Sequence, residues 1–197
     1  MQIHGLLTSF VIAGFLLVSM ATYTLNFSNH SASQSLASST KNRLDFISEL
    51  LEFEMKKIGY TKNGIIQDSP IVYADSNQIV FEADINNDGI NDQIKWHYDR
   101  SSPVTSTENP KDFNLYRTQR TLPDSTVIEE ATMPASVTRL KFTFYDEDQN
   151  ELASPVFDPD DIESIQVYLM LESLGAVDGK YEVTLWEKTI YPINLSL

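Results

Sequence analysis

A long apolar segment near the N-terminus limits what this chain can fold into more than any other feature. Residues 6–25 read LLTSFVIAGFLLVSMATYTL, and no Lys, Arg, Asp or Glu occurs before Lys41. A helix of this length is about 30 Å long, which matches the hydrocarbon core of a bilayer. We therefore predict a transmembrane helix over residues 6–25, with the charged remainder of the chain outside the membrane.

The second half of the same helix is predicted to be amphipathic. Over residues 41–58 the apolar side chains recur at steps of three and four, which is typical of a helix with one buried face. No Pro or Gly occurs between Phe15 and Ile58, and Gly59 suits the left-handed position that follows a helix. We expect one continuous helix over residues 6–58 with this apolar stripe: Leu44, Ile47, Leu51, Met55 and Ile58.

Beyond Gly59 the hydrophobic period changes from 3.6 to 2, which indicates β-strands. Short polar loops such as Asp146–Asn150 predict antiparallel pairing of consecutive strands, and Ser101–Pro110 reads as a surface loop. The fold class is therefore α+β, with one long N-terminal helix packed on an antiparallel sheet in a globular domain of residues 60–197. The predicted strands are 71–74, 78–83, 93–98, 113–119, 125–130, 137–145, 165–172 and 181–190.

The charge of the chain excludes one large class of partner. There are 28 acidic and 14 basic residues, giving a formal net charge of −14. Binding to a phosphate backbone requires clustered Lys and Arg, so we expect no nucleic-acid partner. The absence of cysteine excludes disulfides and thiolate sites.

Two sequence features at the ends of the chain belong together. At the N-terminus the short leader MQIHG ends at Gly5, and an apolar run starts directly at Leu6. At the other end stand the segments KFTFYDEDQNEL, FDPDDIESIQVYLMLE and YEVTLWEKTIYPINL. With these features the chain resembles type IV pilin-like proteins, in particular minor pseudopilins of type II secretion and minor pilins. The Gly5-Leu6 junction looks like a prepilin peptidase site, and the three C-terminal segments are similar in order and character to the last strands of such subunits.

The resemblance implies a non-enzymatic filament subunit with a cleaved leader of residues 1–5 and a methylated N-terminus. It implies a single-pass protein of the bacterial inner membrane, with its domain in the periplasm or exposed on an assembled filament. The implied partners are other pilin or pseudopilin subunits and the prepilin peptidase. Phe10 stands where family members usually carry Glu, and some subunits at the filament tip also lack that Glu, so a tip role is permitted.

Two other interpretations of the apolar segment remain open. Ser19-Met20-Ala21 is an acceptable cleavage site for a Sec signal peptide, which would release a soluble domain starting at Thr22. An uncleaved simple anchor is the third possibility. Under either alternative the protein is an exported or anchored β-domain that binds a ligand or calcium.

The strongest local motif is the acidic loop Asp84–Asp92, which follows the first half of a calcium-binding EF-hand loop. Oxygen-bearing side chains occupy positions 1, 3, 5 and 9, Gly89 occupies position 6, and position 7 would contribute a backbone carbonyl. Lys95 replaces the usual Glu at position 12, and a plain hairpin turn explains the same residues equally well. The candidate calcium ligands are Asp84, Asn86, Asp88, Ile90 and Asp92.

No catalytic constellation emerges from the sequence. The histidines His4, His30 and His97 fall in separate predicted segments, which gives no basis for a triad or a zinc site. There is also no glycine-rich phosphate loop and no Gly-x-Ser-x-Gly motif. We therefore expect a protein that is not an enzyme.

Overall fold

The computed structural model describes residues 2–63, 69–122, 126–132 and 137–195. Its first element is α1 (Gln2–Lys56), a single helix of 55 residues that is about 80 Å long. The predicted continuity is confirmed, and the Ser-rich stretch before Lys41 does not interrupt the helix. The helix starts four residues before the predicted Leu6, so Gln2 to Gly5 are helical as well.

The end of α1 follows the predicted signals. The α-helix ends at Lys56, two residues before the expected end, and Gly59 adopts a φ of 74°. A Cβ atom at Gly59 would lie 3.1 Å from Cβ of Asn194 and 3.3 Å from Cβ of Pro70. Glycine is therefore favoured here both by the left-handed backbone and by the close approach of two other segments.

Eight strands follow, and each lies where the period-2 pattern predicts a strand. The expected first residue Ser125 lies outside the described residues. The predicted surface loop at Ser101–Pro110 is partly wrong, because the third strand continues to Pro103 and Asn109 is buried. The strands are β1 (Ile71–Asp75), β2 (Gln78–Ala83), β3 (Asp92–Pro103), β4 (Phe113–Thr121), β5 (Thr126–Thr132), β6 (Arg139–Tyr145), β7 (Ser164–Glu172) and β8 (Val183–Ile190).

The strands form two antiparallel sheets, which corrects the expectation of one sheet. The first has the order β1-β2-β3-β4-β5 and the second has the order β6-β7-β8. The chain changes sheet at Val137, which makes an isolated bridge with Phe113 of β4 before β6 pairs with β7. Alternation along a strand predicts which face is buried, but it does not identify the neighbouring strand, so the change of sheet left no sequence signal.

The expected tight connection at Asp146–Asn150 is also wrong. This turn only returns the chain to Glu151, which bridges to Tyr145, and β7 starts much later at Ser164. The longer connection carries a short 3-10 helix, Pro159–Asp161. The β7–β8 connection does contain a tight turn, in which Asp178 and Gly179 have positive φ.

The C-terminal part of α1 packs on β7 and β8, as the amphipathic pattern predicts. All five residues of the predicted stripe, from Leu44 to Ile58, are 3% exposed or less. They join one hydrophobic core with buried side chains from both sheets, including Phe81, Trp96 and Leu169. Burial of this stripe against the sheets is the main force that holds the helix on the domain.

A buried ion pair fixes α1 to the five-stranded sheet as well. The carboxylate of Glu54 is fully buried, and its Oε1 accepts a hydrogen bond of 2.8 Å from Nε of Arg117 on β4. Its Oε2 accepts a hydrogen bond of 2.7 Å from the indole Nε1 of Trp96 on β3. The contact satisfies both carboxylate oxygens and places one specific helix residue over the middle of the sheet.

We expect Glu54→Ala to destabilise the domain by about 3–5 kcal/mol, because it leaves the buried guanidinium of Arg117 without its counter-charge. Thermal unfolding of the full chain in detergent micelles, followed by the near-ultraviolet circular dichroism of its aromatic side chains, measures this loss. Glu49→Ala is the matched control, since Glu49 is exposed on the same helix. Equal losses in the two variants would contradict a stabilising role for the buried pair.

Candidate functional site

The first half of α1 presents its apolar side chains to the surroundings. The large exposed hydrophobic residues from Leu7 to Phe27 have relative exposures between 50% and 72%. The helix is long and apolar enough to span a membrane. Because exposed apolar area on this scale is unfavourable in water, the arrangement is compatible with a single-pass membrane anchor.

The residues of the expected processing site lie on this free part of the helix. Gly5 is exposed, and a Cβ added to it would meet no atom within 4 Å. Its carbonyl accepts hydrogen bonds from the hydroxyls of Thr8 and Ser9, at 3.1 and 2.9 Å. The side chain of Leu6 lies outside the described residues, and that of Phe10 is 71% exposed.

The uncharged polar stretch between the apolar half and Lys41 makes contacts that the sequence did not predict. The amide of Asn29 donates hydrogen bonds of 3.2 Å to both carboxylate oxygens of Asp178, in the β7–β8 turn. The hydroxyl of Ser33 donates to Oε1 of Glu182 in the same connection. Hydrogen bonds therefore hold this part of α1 to the domain. We call residues 26–40 the polar neck.

The first buried side chains of α1 lie close to Lys41, the first charged residue of the chain. Thr40 and Leu44 are the first residues of α1 that are fully buried, and Arg43 between them donates a hydrogen bond of 3.2 Å to the carbonyl of Glu172 on β7. Burial lowers the pKa of the Arg43 guanidinium, although nearby Asp112 opposes the effect. The charged part of the sequence thus coincides with the part of the helix that docks on the domain.

The acidic loop is organised by hydrogen bonds from its own side chains to its own backbone. Oδ1 of buried Asp84 accepts from the amide of Asp88 at 3.1 Å, and Oδ2 accepts from the amide of Gly89 at 2.9 Å. Oδ1 of Asn86 accepts from the Asp88 amide at 3.0 Å, and Oδ1 of Asp88 accepts from the Ile90 amide at 2.8 Å. These bonds give the loop a defined shape without any bound ion.

Amines from the segment after α1 cover the carbonyls of the loop. Nζ of Lys57 lies 2.7 Å from the carbonyl oxygen of Ile85 and 3.2 Å from Oδ1 of Asn87. Nζ of Lys62 donates to the carbonyl of Asn87 at 3.0 Å. Two ammonium groups thus supply positive charge to a loop that is rich in oxygen atoms.

Asp92 lies apart from the turn, at the start of β3. Its Oδ2 accepts a hydrogen bond of 2.8 Å from Nε2 of Gln119, whose Oε1 accepts from Nη2 of Arg117 at 2.9 Å. Burial raises the pKa of Asp92, and the nearby carboxylates of Asp88 and Asp84 raise it further. Hydrogen bonds therefore connect the acidic loop with the buried Glu54 pair.

Of the predicted calcium ligands, the turn brings Asp84, Asn86 and Asp88 together. Ile90 is 48% exposed, and Asp92 faces Gln119. Within the described ranges, no group of three or more His, Cys, Asp or Glu side chains is arranged to hold a metal ion. The hairpin is confirmed by the pairing of Ala83 with Asp92, whereas calcium binding stays a prediction.

We expect Asp84→Ala to lower the stability of the chain by roughly 2–3 kcal/mol even in a chelator, because the carboxylate accepts two backbone hydrogen bonds without any ion. Thermal unfolding of the full chain with EDTA and with millimolar calcium checks this. Asp148→Ala, in another exposed acidic turn, is the control. A loss that occurs only with calcium present would show instead that an ion organises the loop.

Comparison with known proteins gives no assignment for this combination of helix, neck and acidic loop. Neither the models of known protein families nor the curated proteins include a match to the chain.

Proposed function

We propose that this protein is a non-enzymatic minor pilin-like or pseudopilin-like subunit of a type IV pilus or type II secretion filament. The observation that carries the proposal is the division of α1 into two halves. The apolar half is exposed along its length, whereas the charged half packs one apolar face on the antiparallel β domain. The resemblance at Gly5-Leu6 and in the last strands adds the family context.

This division is consistent with an apolar half that is surrounded first by lipid and later by neighbouring subunits. Before assembly it would lie in the inner membrane, with the β domain in the periplasm and the polar neck at the interface. During assembly it would pack among the same segments of other subunits, so that lipid contacts are exchanged for protein contacts. The prepilin peptidase would remove residues 1–5, of which Gln2 to Gly5 form the first turn of α1.

The uninterrupted helix argues for retention of the apolar half rather than cleavage after Ala21. Cleavage there would leave α1 residues on the released domain that project without any packing. Among them, Tyr23, Leu25 and Phe27 are between 63% and 72% exposed, and a soluble domain would have to keep them in water. A membrane or a bundle of neighbouring helices would cover them.

Gly5→Phe tests the proposed processing. We expect it to abolish leader removal while the domain stays folded, because a side chain at this position meets no other atom. Gly14→Phe is a matched control, since Gly14 lies in the same exposed helix and also has no neighbour within 4 Å. The measurement is the intact mass of the protein recovered from bacterial membranes that contain a prepilin peptidase.

Unchanged removal in the Gly5→Phe variant would contradict prepilin-type processing. The N-terminal sequence of the wild-type protein distinguishes the remaining possibilities. A start at Leu6 supports the filament proposal, a start at Thr22 supports an exported β-domain, and a start at Met1 supports a simple anchor.

A further inference from the structure

Phe157 is the most exposed large hydrophobic side chain among the described residues. It lies in the connection between β6 and β7, and its relative exposure of 102% means that no other residue covers its ring. Complete exposure of an aromatic ring is unfavourable in water, since burial of a phenylalanine contributes about 1.5–3 kcal/mol. Such a side chain is a candidate anchor for a binding partner.

The backbone around Phe157 is held in place on both sides. The amide of Val156 donates to the carbonyl of Ala74 at 2.9 Å, and Oγ of Ser154 accepts from the amide of Ser76 at 2.8 Å. After the ring, the 3-10 helix is capped by Asp158, and Ile162 is buried in the core. The fold therefore presents the ring outward on a fixed segment, which lowers the entropic cost of binding.

The surroundings of the ring are strongly acidic. Asp158, Asp160 and Asp161 follow it directly, and the last two line a hollow with further carboxylates from the β6 end and from Glu163. An anchor ring bordered by negative charge fits a partner pocket that has an apolar wall and a cationic rim. We call residues 154–161 the Phe157 loop.

The same chain carries an open hollow that is lined mainly by polar groups and by cations, with a smaller apolar part. It has a volume of about 440 Å³, whereas a cavity of about 150 Å³ already holds benzene. Its lining includes Leu140 and buried Tyr98 together with three cations. Those cations, Arg100, Arg139 and Lys141, define what we call the cationic cavity.

The charge of the cationic cavity is only weakly compensated. Lys141 has one exposed partner, Glu151, at 3.8 Å. In the part of the chain that the structure describes, Arg100 and Arg139 form no ion pair, and Arg139 instead lies over the ring of Tyr168 at 5.5 Å. In a chain with 28 acids and 14 cations, this is a local reversal of the overall charge.

The loop and the cavity are neighbours. Ser76, which donates its amide hydrogen to Ser154 of the Phe157 loop, also lines the cationic cavity, as does Asn77. The acidic Phe157 loop and the cationic cavity therefore both adjoin the β1–β2 turn. Because acidic and basic parts adjoin, the charges of this patch match those of a second copy related by a twofold axis.

We propose that the surface around the β1–β2 turn is a dimer interface, in which the Phe157 loop of each copy docks in the cationic cavity of a second copy. Copies anchored by the same helix segment present this patch at the same height above a membrane, which raises their effective concentration. The local charge pairs oppose the repulsion expected between two chains of net charge −14. The interface uses no residue of the apolar half, so it does not depend on filament formation.

The test is energy transfer between donor- and acceptor-labelled copies of the full chain in phosphatidylcholine vesicles. Because the chain has no cysteine, Ser106→Cys on an exposed turn gives a single labelling position. We expect salt-sensitive transfer in the otherwise unaltered chain, and a dimer affinity lowered about tenfold or more by Phe157→Ala. Tyr191→Ala, which removes another exposed aromatic ring, should change the affinity less than twofold.

Charge exchange tests the pairing directly. Arg100→Glu and Asp160→Lys should each weaken the dimer about tenfold, and the double variant should recover most of the affinity, whereas Lys180→Glu should have little effect. Transfer that survives Phe157→Ala would show that the copies associate through the apolar helix instead, and it would overturn the proposal. A second result would also overturn the proposal: inorganic phosphate abolishes the transfer, whereas Phe157→Ala does not change it. That result would assign the cavity to a small anion.

Discussion

The buried ion pair of Glu54 with Arg117 is the interaction that determines where α1 lies on the β domain. The hydrophobic stripe of α1 provides most of the favourable free energy, but apolar contacts tolerate a sliding helix. A charge that is buried between Arg117 and Trp96 does not, because a shift by one turn would leave two charged groups without partners in the core. The ion pair therefore fixes the register in which the stripe packs, and with it the length of helix that projects.

Much of this fold follows from local periodicity. The 3.6-residue pattern from Leu44 to Ile58 and the alternation along β6 and β7 reflect burial of one face, and such burial leaves a direct trace in the order of residues. The division into two sheets leaves none, because the switch at Val137 depends on which strands meet. The sequence also gave no hint of the buried pair, since Arg117 and Gln119 sit in a stretch of β4 whose polar residues resemble a solvent-facing strand.

The acidic loop shows the same limit at a smaller scale. The spacing of Asp84, Asn86, Asp88 and Gly89 specifies a tight turn correctly, and both a calcium loop and a hairpin turn use that spacing. The spacing does not predict that Lys57 and Lys62, which follow the end of α1, donate hydrogen bonds to the loop carbonyls. The loop is thereby tied to the helix terminus as well as to its own strands.

The polar neck has a mechanical consequence. A force along the axis of α1 loads the stripe from Leu44 to Ile58 in shear, so its contacts resist together. A sideways force on the apolar half acts with a long lever arm. It would first break the hydrogen bonds of Asn29 and Ser33 to the β7–β8 connection, one after another. We therefore expect the helix to resist a pull along its axis more strongly than a sideways bend at the polar neck.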